Sequence, residues 1–177
     1  MRILSAIFAA LSPGPPLVAG LVLFFVAGIL GFRALDWGAV QQPIAFNHAK
    51  HLESGLSCTD CHSGAESQAH AVLPNLATCL ACHEEAVTES PEEQKLRALA
   101  AAGKELQWNQ ITRVAPHVYF SHRRHVQLGK LECTVCHGPM QQATAPPRRA
   151  FLVPSMDACL ECHRQARVKT DCNDCHR

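Results

Sequence analysis

Apolar residues are concentrated near the start of the chain. No charged residue lies between Arg2 and Arg33, and Leu17–Phe32 is an apolar block of 16 residues that follows the sequence Pro13-Gly14-Pro15-Pro16. A membrane-spanning helix needs roughly 20 apolar residues, so a span here has to borrow flanking residues such as Leu35. The pattern predicts one uncleaved N-terminal transmembrane anchor over residues 1–36. A cleaved signal peptide is the competing interpretation, but no clear Ala-x-Ala site follows the block.

The clearest helix signal in the rest of the chain begins at Ser90. Ser90 suits an N-cap, Pro91 suits the first helical position, and Glu93 lies three residues after the cap, as in a capping box. The residues from Lys95 onward favour a helix that continues to Gly103. Residues 89–112 are therefore predicted to be a linker helix, and the remaining chain is predicted to be short helical turns and irregular segments with little or no sheet.

The cysteines change this picture, because all ten fall into five copies of Cys-x-x-Cys-His. This motif attaches c-type haem: the two thiols bond the porphyrin, and the histidine is the proximal ligand of iron. Five covalently bound haem c groups are therefore the predicted cofactors. The attachment cysteines, in five successive pairs that we number as motifs one to five, are Cys58 and Cys61, Cys79 and Cys82, Cys133 and Cys136, Cys159 and Cys162, and Cys172 and Cys175. The proximal histidines are, in the same order, His62, His83, His137, His163 and His176.

Zinc and disulfide bonds explain these cysteines less well. The spacing of the first two motifs matches a four-cysteine zinc site. Four cysteines for each zinc ion leave the fifth pair without a partner, however, and zinc gives no reason for a histidine directly after every second cysteine. A disulfide framework explains the histidines no better.

The soluble part repeats itself. The pattern Phe-x-His-x-x-His precedes the first motif at Phe46 and the third at Phe120, and Pro74 to His83 aligns with Pro154 to His163. The sequence thus predicts a two-haem module at residues 37–88 and a three-haem module at residues 113–177. Aromatic residues make up only 6% of the chain, which is too few for an ordinary core, so haem faces are expected to supply the missing apolar surface and the soluble part is not expected to fold without them.

Six histidines remain as distal ligands for five haems. His48 is assigned to the haem of His62, and His122 to the haem of His137. His51 and His125 lie one helical turn further on and are assigned to other haems of their own modules, the candidates being those of His83 and His176. The haem of His163 has no obvious upstream histidine, and its candidate ligands are Met156, His117 and His70.

The charge is unevenly distributed. Residues 46–107 carry four Lys or Arg against nine Asp or Glu, whereas residues 123–177 carry nine against five. Arginines of the second half are candidate partners for haem propionates. Nothing in the sequence indicates binding to nucleic acid.

These motifs resemble known cytochromes. Phe-x-His-x-x-His ahead of Cys-x-x-Cys-His resembles the class III multihaem cytochromes. The longer run from Trp108 through Val118-Tyr119-Phe120-Ser121-His122 to Cys162-His163-Arg164 is similar to the membrane-anchored pentahaem subunit of alternative complex III and to a multihaem subunit of quinone reductase complexes. The chain departs from the first family at Asn109–Arg113, where that family often has a histidine.

The resemblance implies a non-catalytic subunit that relays electrons. Its implied partners are iron–sulfur and quinone-binding subunits of a membrane respiratory complex, together with a soluble or monohaem cytochrome c. Because haem c is attached outside the cytoplasmic membrane, the anchor is expected to hold the haem domain on the periplasmic face of the inner membrane. The alternatives are a stand-alone membrane-anchored quinol dehydrogenase and, third, a multihaem oxyanion reductase, which needs an iron with an open site that the spare histidines argue against.

Overall fold

The structure is a computed structural model and describes residues 14–34 and 39–176. The chain consists of two units, residues 1–39 and residues 40–177. The first unit contains helix α1 (Pro15–Ala34), which begins at a pair of prolines and carries exposed apolar side chains such as Phe24 and Phe32.

The prediction of a transmembrane anchor is wrong for the residues that the structure describes. Within residues 14–34 and 39–176, no helix is both long and apolar enough to cross a membrane. The physical reason lies in length: at 1.5 Å per residue, the block Leu17–Phe32 spans about 24 Å, whereas the hydrocarbon core of a bilayer is about 30 Å thick. Leu35 and the residues before Pro13, which were expected to extend the span, lie outside the described residues. The single-pass location in the inner membrane is corrected with it.

The second unit is made of short helices joined by irregular chain. The described part of this unit has an isolated β-bridge between Val118 and His176 and contains no strand, so the predicted fold class is confirmed apart from the anchor. Every cysteine motif begins or lies in a helix. In chain order, the elements are α2 (His48–Glu53), α3 (Cys58–Cys61), α4 (Leu76–His83), α5 (Pro91–Ala101), a π-helical turn (Arg124–Leu128), α6 (Cys133–His137), a 3-10 turn (Met140–Gln142), α7 (Met156–Gln165) and α8 (Cys172–Cys175).

Helix α5 begins where the sequence predicts. Its N-cap is Ser90, whose hydroxyl accepts a hydrogen bond of 3.3 Å from the backbone N–H of Glu92, and Pro91 occupies the first turn. The helix ends at Ala101 and is followed by Gly103 in the left-handed region, with a φ of +61°. It is therefore shorter than the predicted linker, and residues 104–112 continue without regular structure.

The apolar core of the second unit is small. Ile44, Leu96 and Leu106 are buried together, and α5 thereby packs against the first repeat. Among the described residues, no large side chain is completely buried. The indole N–H of Trp108 donates to the carbonyl oxygen of Pro74 at 2.7 Å, which fixes the chain after α5 to the segment before α4. A unit of this size with so little buried apolar surface depends on something else to fill its interior.

Candidate haem-binding sites

Helix α2 presents two histidines from a fixed turn. The Asn47 side chain caps the helix by accepting from the backbone N–H of Lys50 at 3.0 Å. The Asn47 carbonyl oxygen lies 2.8 Å from Nδ1 of His51. The Phe46 ring stacks on His51 with a centroid distance of 4.3 Å and meets His48 edge-on at 4.8 Å. With Nδ1 of His51 donating to this carbonyl, Nε2 is the nitrogen left for a metal.

The second repeat reproduces this geometry. The Phe120 ring stacks on His125 at 4.8 Å and meets His122 edge-on at 4.9 Å, and Nδ1 of His125 lies 2.8 Å from the Ser121 carbonyl oxygen. Phe46 and Phe120 therefore position both histidines of their repeats. The sequence contained the signal, since both phenylalanines occupy the same place in the repeat, but their role was not predicted.

Most proximal histidines face a second imidazole. A metal ion held between two imidazoles by bonds of about 2 Å separates the ring centroids by roughly 6 Å. The ring pairs of this structure have centroid distances close to that value. They are His122 with His137 at 6.3 Å and an interplanar angle of 8°, His125 with His163 at 6.1 Å and 20°, His51 with His83 at 6.1 Å and 58°, and His117 with His176 at 5.5 Å and 17°.

Two of these pairs, His122 with His137 and His51 with His83, are those expected from the sequence. The other two differ from the expectation, because His125 faces His163 rather than His176, and His117 faces His176. Met156, at the start of α7, has a side chain that is 62% exposed. Sequence spacing could not predict this exchange, since the partners come from segments that meet only in the fold.

The remaining proximal histidine, His62, has His48 as a neighbour. Burial lowers the pKa of His48 most, and the nearby His62 and His51 lower it further. Nδ1 of His48 is buried and has no hydrogen-bond partner among the described residues. Nδ1 of His62 lies 3.0 Å from the carbonyl oxygen of Val72 and donates to it when Nε2 binds a metal.

The segment 69–72 connects the two repeats. The backbone N–H of His122 donates to the Ala69 carbonyl oxygen at 2.9 Å, and Nδ1 of His122 lies 3.2 Å from the same oxygen. Burial lowers the pKa of His122, whereas this carbonyl oxygen raises it. Because Val72 contacts His62, a single short segment touches histidines of both repeats.

The cysteines of the five motifs neighbour one another in one order. All ten are free of disulfide bonds. Burial, followed by nearby charges and thiols, raises the pKa of several of these thiols. The neighbours between motifs are Cys61 with Cys79 and Cys82, Cys58 with Cys133, Cys136 with Cys159 and Cys162, and Cys159 with Cys175. These neighbours link the motifs in the order two, one, three, four, five.

A buried carboxylate faces one proximal histidine. Glu93, at the third position of α5, is 7% exposed, and its Oε1 lies 3.1 Å from Nδ1 of His83. The Thr88 hydroxyl and the backbone N–H of Val87 and of Thr88 donate to this carboxylate. The Thr88 hydroxyl first, and then these N–H groups and His83, hold the pKa of Glu93 down to about 2. The sequence did not reveal this role, because a capping box already explained a glutamate at this position.

These sites fit haem. Each ring pair offers two nitrogen ligands on opposite sides of a gap, next to a helical turn that carries two cysteines, and the porphyrin supplies the other ligands of iron. In the described part of the chain, no group of three or more His, Cys, Asp or Glu side chains converges in the manner of a metal site.

Comparison with known proteins agrees with this geometry. Residues 44–105 and 118–177 each match the family model for cytochrome c7 and related cytochrome c. The chain is also 35% identical over 124 residues to the multihaem cytochrome c subunit of menaquinone reductase from Nitratidesulfovibrio vulgaris strain Hildenborough. The alignment covers 69% of this chain and 58% of that protein, so the chain spans little more than half the length of its relative. With both halves matched by the family model, the chain belongs to the family of cytochrome c7 and related cytochromes c, which carry covalently bound haem.

Proposed function

We propose that the protein is a pentahaem cytochrome c that relays electrons between a quinone-linked, iron–sulfur-containing membrane complex and donors or acceptors on the periplasmic side. It is an electron-transfer protein and not itself a catalytic enzyme. The observation that carries the proposal is the set of four imidazole pairs at motifs two to five, together with His48 as a neighbour of His62 at motif one.

The proposed axial ligands follow from these pairs. Four proximal histidines lie against one other histidine, and His62 has His48 as a neighbour, so two imidazoles would be available to each haem. The proposed pairs are His62 with His48, His83 with His51, His137 with His122, His163 with His125, and His176 with His117. An iron with two firmly held imidazole ligands has no position left for a substrate, which favours electron transfer over catalysis.

In the proposed relay, the chain's own residues would hold the haems next to one another. Haem supplies reversible one-electron chemistry at iron. The neighbouring cysteines hold the attachment points in one continuous file, and His48 and His51 on α2 belong to two adjacent members of that file. The file connects the two repeats through motifs one and three, where Cys58 and Cys133 meet. Motifs two and five are its ends, and these are the proposed points of entry and exit.

The proposed partners are inferred from the relative described above. That protein is a subunit of menaquinone reductase, which favours a quinone-linked membrane complex as the partner of this chain. The similarity supports a multihaem cytochrome c and does not single out alternative complex III. A monohaem or soluble cytochrome c is the proposed partner at the other end of the file.

The deciding experiment measures haem count and ligation together. Intact mass of the purified protein is expected to give five haems, and the dithionite-reduced spectrum is expected not to change when carbon monoxide is added. A haem count below five would refute the proposed pentahaem relay. A carbon monoxide shift in the intact protein means an iron with an open or weak position, and that result reopens the oxyanion-reductase alternative.

A further inference from the structure

The second motif differs from two others in what its proximal histidine touches. Nδ1 of His83 faces the Glu93 carboxylate at 3.1 Å, whereas Nδ1 of His62 faces the neutral carbonyl oxygen of Val72 at 3.0 Å. Nδ1 of His163 is buried without a hydrogen-bond partner among the described residues. Nδ1 of His83 therefore lies within ion-pair distance of a carboxylate without forming a hydrogen bond, Nδ1 of His62 lies next to a neutral carbonyl oxygen, and Nδ1 of His163 has neither contact among the described residues.

The carboxylate is held firmly in place. Its two oxygens accept from the backbone N–H of Val87 at 2.6 Å, from that of Thr88 at 2.8 Å and from the Thr88 hydroxyl. Glu93 also lies in the first turn of α5, where the helix dipole favours a negative charge. A side chain bound in this way does not swing away from His83, so its charge acts on that ring at a constant distance.

A carboxylate on the second ring nitrogen changes the iron that the first nitrogen binds. A carboxylate that accepts the Nδ1 hydrogen makes the imidazole a stronger donor to the metal. At His83 the carboxylate lies 3.1 Å from Nδ1 without a formed hydrogen bond, so its negative charge is what acts on the ring. A stronger donor and a buried negative charge both stabilise ferric iron more than ferrous iron, which lowers the reduction potential. A carbonyl oxygen exerts the same influence more weakly because it carries no net charge.

We propose that Glu93 is a positioning residue that lowers the reduction potential of the haem bound by His83 and His51. The inference rests on the proposed function, because it assumes that a haem occupies this pair of histidines. Since motif two is one end of the file, Glu93 makes that end a stronger electron donor to motif one than a neutral acceptor would.

The test compares two neighbouring glutamates. Glu93→Gln removes the charge and keeps the size of the side chain, and Glu92→Gln removes an equal charge from the same turn of α5 at a residue that contacts Lys95 and the Ala45 N–H instead. In a spectroelectrochemical titration of each five-haem protein, Glu93→Gln is expected to shift one of the five transitions to higher potential. Glu92→Gln is expected to leave that transition in place.

The moving transition is identified with His51→Met. A methionine ligand raises the potential of its haem, so this variant marks the transition that belongs to motif two. The proposal is overturned if that transition stays in place in Glu93→Gln, or if Glu92→Gln moves it equally. If Glu93→Gln does not assemble, Glu93→Asp keeps the charge but withdraws it from His83, and the same transition is expected to rise. A wild-type protein with fewer than five haems instead refutes the proposed function, and the haem count separates the two failures.

Discussion

In the proposed ligand pairs, a histidine offers iron the ring nitrogen that its neighbours leave unused. In His51 and His125, Nδ1 lies 2.8 Å from the backbone carbonyl oxygen four residues earlier, and a phenylalanine ring stacks on the imidazole. The ring is thus oriented before a metal binds, which reduces the entropy lost on binding. His70, the histidine left over by the proposed pairs, is exposed and is not assigned a haem.

The ligand of the fourth haem can be tested at His125. His125→Ala is expected to leave the iron of His163 with one axial ligand and to bind one carbon monoxide per molecule, because the two rings lie 6.1 Å apart. Met156→Leu is the matched control and is expected to bind none, since its side chain is 62% exposed. Difference spectra of the reduced proteins measure both. Carbon monoxide binding by Met156→Leu but not by His125→Ala would instead assign the ligand to Met156.

The charge of Glu92 gives a prediction for pH. Lys95 first, and then the Ala45 N–H, lower the pKa of Glu92 below its usual value of 4.5. A carboxylate whose pKa is lowered in the folded state stabilises that state above pH 4.5, and this contribution is lost as the pH falls through the folded-state pKa. Glu92→Gln is therefore expected to reduce the free energy of unfolding at neutral pH by about 0.5 kcal/mol, as is usual for exposed pairs.

Urea denaturation of both proteins from pH 7 down to pH 3 measures this difference, which is expected to shrink as the pH falls. The same pair of proteins carrying Lys95→Met serves as the control. Without Lys95, the main cause of the lowered Glu92 pKa is absent, so the difference in free energy of unfolding is expected to depend less on pH. A difference that stays constant across this range would contradict the assignment.

At the scale of elements, helix α5 depends on its cap and on a small apolar contact. Ser90 accepts the backbone N–H of Glu92, and Leu96 buries one face of the helix against Ile44 and Leu106. Ser90→Ala is expected to lower the free energy of unfolding by about 1 kcal/mol, while Ser90→Gly is expected to cost only a few tenths. Both losses are measured as shifts of the denaturant midpoint at an unchanged m-value. Equal losses in the two variants would mean that the hydroxyl is not the group that stabilises this end.

Local signals predicted elements well, and contacts between elements poorly. The start of α5 was predicted from Ser90 and Pro91 because a cap is a property of adjacent residues. The anchor was predicted from composition, but the apolar block Leu17–Phe32 is too short to cross a bilayer. The partner of His163 lies 38 positions upstream at His125, and no periodicity reports such a contact. Glu93 was interpreted locally, as half of a capping box, although its carboxylate instead accepts from Val87 and Thr88.

At the scale of the whole molecule, the second unit lacks the apolar core that a chain of its length normally needs. Its buried cluster consists of Ile44, Leu96 and Leu106, with a few partly buried neighbours. The protein produced without haem attachment is therefore expected to lack stable tertiary structure and to be cleaved rapidly by protease, whereas the haem-loaded protein resists. Near-ultraviolet circular dichroism and limited proteolysis compare the two forms. A protected apoprotein would mean that the polypeptide alone suffices.

The order of the motifs in space is also a property of the whole molecule. The sequence order is one to five, but the cysteine neighbours give two, one, three, four, five. Motif one therefore lies between motif two and the second repeat, although motif two is the nearer of the two along the sequence. Spacing along the chain could not predict this, because it depends on how residues 69–72 approach His122.

That approach has an evolutionary consequence. Two repeats produced by duplication are at first free to diverge separately, but here Val72 supports His62 while Ala69 supports His122. A substitution in this short segment therefore affects one histidine of each repeat. In related sequences, substitutions at residues 69–72 are therefore expected to occur together with substitutions near His122. If the two repeats were produced separately, the second would lack the Ala69 carbonyl oxygen that contacts His122.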